Sequence, residues 1–166
     1  KEIGVSYIIC GHSERRNIFM ETDEVINKKV QKTISSGITA ILCVGEKLEE
    51  RERGNTFNVI KTQVEKCLEG IEEAASVVIA YEPVWAIGTG KTATPEQAEE
   101  VHFFIRGLIE KSFGKDFAER ILILYGGSVK AENIDSLMAQ RDIDGVLVGG
   151  ASLKLESFLR IIDYKK

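Results

Sequence analysis

An acid stands at the end of an apolar run, with a proline directly after it. Val77–Tyr81 is apolar, Glu82 follows at once, and then comes Pro83. A carboxylate at the exit of a buried strand is a candidate general base. The short apolar loop after it can close over the carboxylate, dry it and raise its basicity. The competing reading is an ordinary salt bridge at a strand end. A second candidate lies in Gly11-His12-Ser13-Glu14-Arg15-Arg16, just past another apolar run. A histidine there, held neutral by the positive end of a helix, can donate a hydrogen bond to a developing enolate. The plainer alternative is a loop histidine among charged neighbours. Glu14 with Arg15 or Arg16 also reads as a simple ion pair.

Glycines mark the other exits. Gly88 and Gly90 sit in the loop after Glu82 and let backbone N–H groups approach an anion closely. Gly126-Gly127-Ser128 and Gly149-Gly150-Ala151-Ser152 follow two further apolar runs. One such pair is an ordinary turn. Two pairs beside a glycine loop suit N–H groups converging on phosphate oxygens. Gly90-Lys91-Thr92 resembles the end of a nucleotide-binding P-loop, but the required first glycine would fall on Trp85, so ATP binding is not supported. Glu46, after Gly45, is expected to pair with a basic neighbour and has no catalytic role, and the charged run 47–53 reads as a solvated face. His102 reads as a packed or exposed helical residue.

The elements that must hold these groups are legible from periodicity. Val5–Cys10, Ala40–Val44, Val77–Tyr81, Ile121–Tyr125 and Gly145–Val148 are short, unbroken apolar runs, as expected for parallel strands covered on both faces. Between them lie helical stripes, one carrying Val25, Ile26, Val30 and Ile34, the next Val59, Ile60, Val64 and Leu68. Thr94-Pro95-Glu96-Gln97 has the form of a capping box with proline at the first helical position. The helix it opens presents Val101, Phe104, Ile105, Leu108 and Ile109 to the core and stops near Gly114. Shorter helices are expected over 132–139 and 155–162. Five βα units in series predict an α/β protein with a parallel sheet, in a single domain over 1–166. Periodicity alone also fits an open doubly wound sheet, because five units do not close an eight-stranded barrel of typically about 250 residues. The strand-end motifs make the choice.

Composition narrows the function classes. The net charge is −4 without a basic stripe, which argues against nucleic acid and anionic membranes as partners. No apolar run approaches the ~20 residues of a membrane span. The opening residues Lys1-Glu2-Ile3-Gly4 do not read as a signal peptide. Cys10, Cys43 and Cys67 are odd in number and read as reduced thiols of a cytoplasmic protein. No Cys-x-x-Cys or His-x-x-x-His spacing occurs, so no metal is expected.

Taken together, Gly11–Arg16, Ala80–Ala93, Tyr125–Val129 and Gly145–Leu153 resemble the triosephosphate isomerase family, in that family's order and spacing. The likeness covers essentially the whole chain, from the fourth barrel strand to the last helix. It implies a TIM barrel of which five of eight units are present. It implies interconversion of glyceraldehyde 3-phosphate and dihydroxyacetone phosphate through an enediolate, without cofactor or metal. Glu82 would move the proton and His12 would polarise the carbonyl, a pairing for which this family is itself the standard example. Ser13 matches a residue that holds the base in the open state, and Glu14 matches a family acid of supporting role. Gly88, Ser128, Gly149 and Gly150 would present N–H groups to the phosphate. The lid would run from Pro83, Val84 and Trp85 through Ala86, Ile87, Gly88, Thr89 and Gly90 to Lys91, Thr92 and Ala93, with Tyr125 steadying its closed form. The family's first-strand Asn-x-Lys has no counterpart, and Lys1 does not replace it. As partners the resemblance implies a homodimer, as expected for the family, or a complementing N-terminal segment. The 166 residues by themselves are expected to turn over little or no substrate. The alternative is an inactive half-barrel that keeps a weak phosphate site.

Overall fold

The computed structural model describes residues 2–71 and 76–165, so Lys1 lies outside the described residues. Five strands, β1 (Tyr7–Cys10), β2 (Thr39–Val44), β3 (Val77–Tyr81), β4 (Ile123–Tyr125) and β5 (Gly145–Val146), form one sheet in the order β1-β2-β3-β4-β5. All four pairings are parallel. Helices fill the crossovers: α1 (Ser13–Asn17) and α2 (Asp23–Ser35) after β1, α3 (Leu48–Glu52) and α4 (Thr56–Cys67) after β2. Then come α5 (Pro95–Phe113) and α6 (Lys115–Ala118) after β3, α7 (Ile134–Met138) after β4, and α8 (Leu155–Ile162) after β5. This is the α/β arrangement expected of consecutive βα units, in the form of an incomplete barrel.

Strand side chains alternate between two faces. Leu42 and Val44 of β2, Ile79 and Tyr81 of β3, and Ile123 and Tyr125 of β4 pack against the helices. There they meet Ile26 and Val30 of α2, Ile60 and Val64 of α4, and Ile105 and Ile109 of α5. Glu82 directly follows Tyr81, so it turns to the opposite face. The capping box forms as expected: Thr94 Oγ1 accepts the Gln97 N–H at 3.2 Å, and Gln97 Oε1 accepts the Thr94 N–H at 3.0 Å. Gly114 ends α5 at φ +87°, a conformation other residues rarely adopt.

Some expectations need correction. The strands are not all covered on both faces: Tyr7, Ile8 and Ile9 of edge strand β1 are exposed. Val25 is exposed too, because it looks out beside that edge, and α2 buries Ile26, Val30 and Thr33 instead. Strands β1, β4 and β5 are shorter than their apolar runs, and α7 is shorter than 132–139. In β4 the reason is local, since Ile121 still belongs to the turn that closes α6, donating its N–H to the Phe117 carbonyl at 3.0 Å. No helix among the described residues is long and apolar enough to cross a membrane.

His102 of α5 is fully buried, and burial pushes its imidazole down to about 4. The unfolded imidazole keeps the ordinary value of 6.5. As pH falls from about 6.5 towards 4 the unfolded chain takes up the proton first, so His102 removes stability across that window. Compared with His102→Gln by denaturant titration, the native protein is expected to lose roughly 3 kcal/mol more between those two pH values. Parallel curves for the two proteins would refute this.

Candidate active site

Every strand exit but one opens on a cleft of about 620 Å³ at the C-terminal edge of the sheet. Its wall brings together His12 from the β1 exit, Glu82 from β3 and Gly88 from the loop above. Gly126, Gly127 and Ser128 enter from β4, and Gly149 and Gly150 from β5. Thus the two candidate catalytic residues and the four candidate phosphate ligands share one cavity. Ser13 and Glu14 do not line it.

Glu82 is held by the sheet itself. Its N–H donates to the Val44 carbonyl at 2.7 Å, and the Gly126 N–H donates to the Tyr81 carbonyl at 2.7 Å. Gly126 clears space for the side chain, since a Cβ there would lie 2.9 Å from Glu82 Cγ. The carboxylate is 3% exposed. One oxygen lies 3.2 Å from His12 Nε2, and the other accepts the Ser13 N–H at 2.8 Å. Burial raises its pKa, and His12, the Ser13 N–H, the Cys43 thiol and Arg16 pull the other way without cancelling it. A raised carboxylate is a stronger base at neutral pH than a free one.

His12 is the N-cap of α1, and its Nδ1 accepts the Glu14 N–H at 3.3 Å. Accepting there leaves Nε2 to carry the ring proton, and it points that proton at Glu82. The imidazole is one-third exposed towards the cleft. Ser13 is buried behind the carboxylate and contributes its backbone, while Glu14 is exposed. The expected ion pair of Glu14 with Arg15 or Arg16 does not form. Arg15 pairs with Glu21, and Arg16 pairs with Asp23 at 2.6 Å while also donating to the Gly11 carbonyl at 2.8 Å. Adjacent residues of a helix do not face one another, and partners further along the chain do.

The loop over the cleft is anchored at both ends and free at its tip. Ala86 and Ala93 are buried, whereas Gly88, Thr89, Gly90, Lys91 and Thr92 are exposed. Gly88 and Gly90 take φ +68° and +81° with open space around them. Trp85 donates its indole N–H to Glu46 at 2.9 Å, and the Arg51 guanidinium lies 4.8 Å over the indole ring. Glu46 is fully buried, accepts from the Tyr81 hydroxyl at 3.1 Å and pairs with Arg51 at 3.1 Å. Its part in anchoring the loop was not foreseen from the sequence. An acid at the exit of an apolar strand, as at Glu82, was the available signal. Lys130 and Lys154 on the cleft wall were also missed, although each stands close to a glycine pair. Among the described residues no group of His, Cys, Asp and Glu side chains is placed to hold a metal ion.

The family model described as triosephosphate isomerase matches residues 1–165. The protein named triosephosphate isomerase from Syntrophotalea carbinolica is 56% identical over 167 residues, covering 99% of this chain and 66% of that protein. Its namesake from Carboxydothermus hydrogenoformans is 59% identical over 164 residues, covering 98% of this chain and 65% of that protein. A third, from Alkaliphilus oremlandii, is 57% identical over 166 residues, 99% of this chain and 67% of that protein. The chain spans about two thirds of the length of the curated relatives it matches.

Proposed function

This chain belongs to the triosephosphate isomerase family, and from that premise we propose that the protein interconverts glyceraldehyde 3-phosphate and dihydroxyacetone phosphate by proton transfer. The observation that carries the reading is a buried carboxylate and a histidine N–H, 3.2 Å apart, on the wall of a glycine-rimmed cleft. Substrate would displace that contact. The His12 Nε2–H then turns to the substrate carbonyl oxygen, and Glu82 takes the proton from the adjacent carbon. His12 Nε2 gives its proton to the former carbonyl oxygen and takes one from the adjacent hydroxyl, and the Glu82 carboxylic acid then returns its proton to the neighbouring carbon. Backbone N–H groups of Gly88, Ser128, Gly149 and Gly150 hold the phosphate, without a cofactor or a metal. The segment Pro83–Ala93 closes as a lid, excluding water that would otherwise intercept the enediolate. Ser13 and Glu14 support the site from behind, through the Ser13 N–H and the Glu14 N–H on His12 Nδ1. Three buried, unpaired cysteines favour a cytoplasmic setting.

The test is a coupled isomerase assay in both directions. It is run on the chain by itself and on the chain joined to the N-terminal third of the Syntrophotalea carbinolica relative. Turnover in at least one form supports the reading, and turnover in neither overturns it. The exposed residues of β1 favour a second reading, an inactive form that retains phosphate binding. Phosphate binding by the chain without turnover would distinguish it.

The protein is further proposed to be a homodimer. Ile18, Phe19 and Met20 are 67%, 62% and 74% exposed, and Met20 is held at φ +56°, so three consecutive apolar side chains face outward beside the site. Phe19→Glu is expected to weaken self-association by about tenfold or more in sedimentation equilibrium. An unchanged dissociation constant would remove this patch from the interface.

A further inference from the structure

His102 takes no part in the chemistry proposed above, yet it sits between the two tyrosines that lie under the lid. Its Nδ1 is 3.1 Å from the Asp142 carbonyl, which can only accept, so Nδ1 carries the ring proton. Nε2 is then a bare lone pair, buried and without a partner among the described residues. The ring meets Tyr81 edge-on, with centroids 5.9 Å apart and planes at 82°. It meets Tyr125 tilted at 38° and 6.4 Å. Those two tyrosines are paired in register across β3 and β4.

Each tyrosine reaches one end of the lid. The Tyr81 hydroxyl donates to Glu46, which accepts the indole N–H of Trp85. The Tyr125 hydroxyl is buried without a partner among the described residues and lies beside the Ala93 backbone. A Cβ on Gly127 would fall 2.2 Å from that hydroxyl and 3.0 Å from Pro83 Cγ, which places the hydroxyl near the lid's first residue as well. The helix that carries His102 is itself the continuation of the lid, starting from the Thr94 cap. An apolar ring would pack in the same space without leaving a lone pair unpaired, so the breadth of the ring, and not its nitrogen chemistry, is what the two tyrosines meet.

We propose that His102 is a positioning residue for the lid: its single ring braces Tyr81 and Tyr125 together, and so couples the Trp85 end, held through Glu46, to the buried Ala93 end that lies beside Tyr125. The proposal rests on reading residues 83–93 as a lid, and its test needs no turnover. Trp85 is the chain's one tryptophan, so acrylamide quenching of its emission reports the first anchor directly. His102→Ala and His102→Gln both remove the brace, the second while keeping an amide donor for Asp142. His102→Phe keeps a ring of similar breadth, and the Asp142 carbonyl retains the Arg106 Nη2–H at 3.3 Å. Ile109→Val, two turns along the same helix and equally buried, is the control for general loosening.

With far-UV circular dichroism unchanged, Ala and Gln are expected to raise the quenching constant about twofold or more, while Phe and the Ile109 control stay near the native value. If Ala does not fold, Gln against Phe decides the matter. Native quenching in a folded Gln or Ala variant overturns the coupling, as does a rise in the Ile109 control equal to theirs. Failure of the isomerase assay with this pattern intact would count against the proposed reaction and not against the brace.

Discussion

Glu82→Gln is expected to cut isomerase turnover by roughly 10²–10⁴-fold or more while leaving the fold in place. The amide keeps the volume and a hydrogen-bond acceptor for the Ser13 N–H, but it has no basic lone pair for a C–H proton. Stability should hold or rise slightly, because burial already disfavours the charged form of this group. The combination separates a chemical role from a structural one. Turnover within a few-fold of native would remove Glu82 from the mechanism, and a large fall in melting temperature would mean the carboxylate is structural. The raised pKa has its own signature. The base must be ionised, so turnover should fall as pH drops through a value above the ordinary 4.5 of a free glutamate, and Gln should abolish that limb.

Gly45→Ala should be the most damaging small substitution in the chain. A Cβ at that position would lie 1.7 Å from the Glu82 carbonyl oxygen and 2.6 Å from its carbon. Both are backbone atoms, so no rotamer change relieves the clash. The exits of β2 and β3 must part, which strains the 2.7 Å bond from Glu82 N–H to the Val44 carbonyl. It also strains the two bonds by which the Gln63 side chain spans Gly45, at 2.8 and 3.2 Å. A loss of about 3 kcal/mol or more is expected, which for a chain of this size lowers the melting temperature by about 10 °C. Gly107→Ala is the contrast. Gly107 lies inside α5 with nothing near its missing Cβ, so alanine there should gain up to about 1 kcal/mol. Equal melting temperatures for the two variants would refute the steric account.

Local chemistry in the chain already specified most of the elements. The Val77–Tyr81 run matches β3 residue for residue, and the 155–162 pattern matches α8. Thr94 and Gln97 capped α5 as their spacing requires, since both partners lie within one helical turn. His12 and Glu82 stood out because each lies within two residues of the end of an apolar run, and the end of a parallel strand is where this architecture places its cavity. Readings that depended on a partner across the fold fared differently. Glu46 is held by Tyr81 and Trp85, which lie 35 and 39 positions away, and nothing near Glu46 announces them. Arg16 bypasses Glu14 for Asp23 and for a carbonyl 27 positions on, because a short helix turns neighbours apart. Val25 fits the apolar period of α2 yet is exposed, since burial needs a facing surface as well as a period.

From sequence alone came the βα order, the parallel sheet, the acid and histidine at their strand exits, and the family, because each is written in spacing of a few residues. Tertiary structure alone decided that Glu82 sits 3.2 Å from His12, that its pKa is raised, and that Glu46 anchors the loop after Glu82 through Trp85. Distance, burial and hydrogen-bond partner arise only when segments tens of residues apart are brought into register, and a linear pattern carries no measure of them.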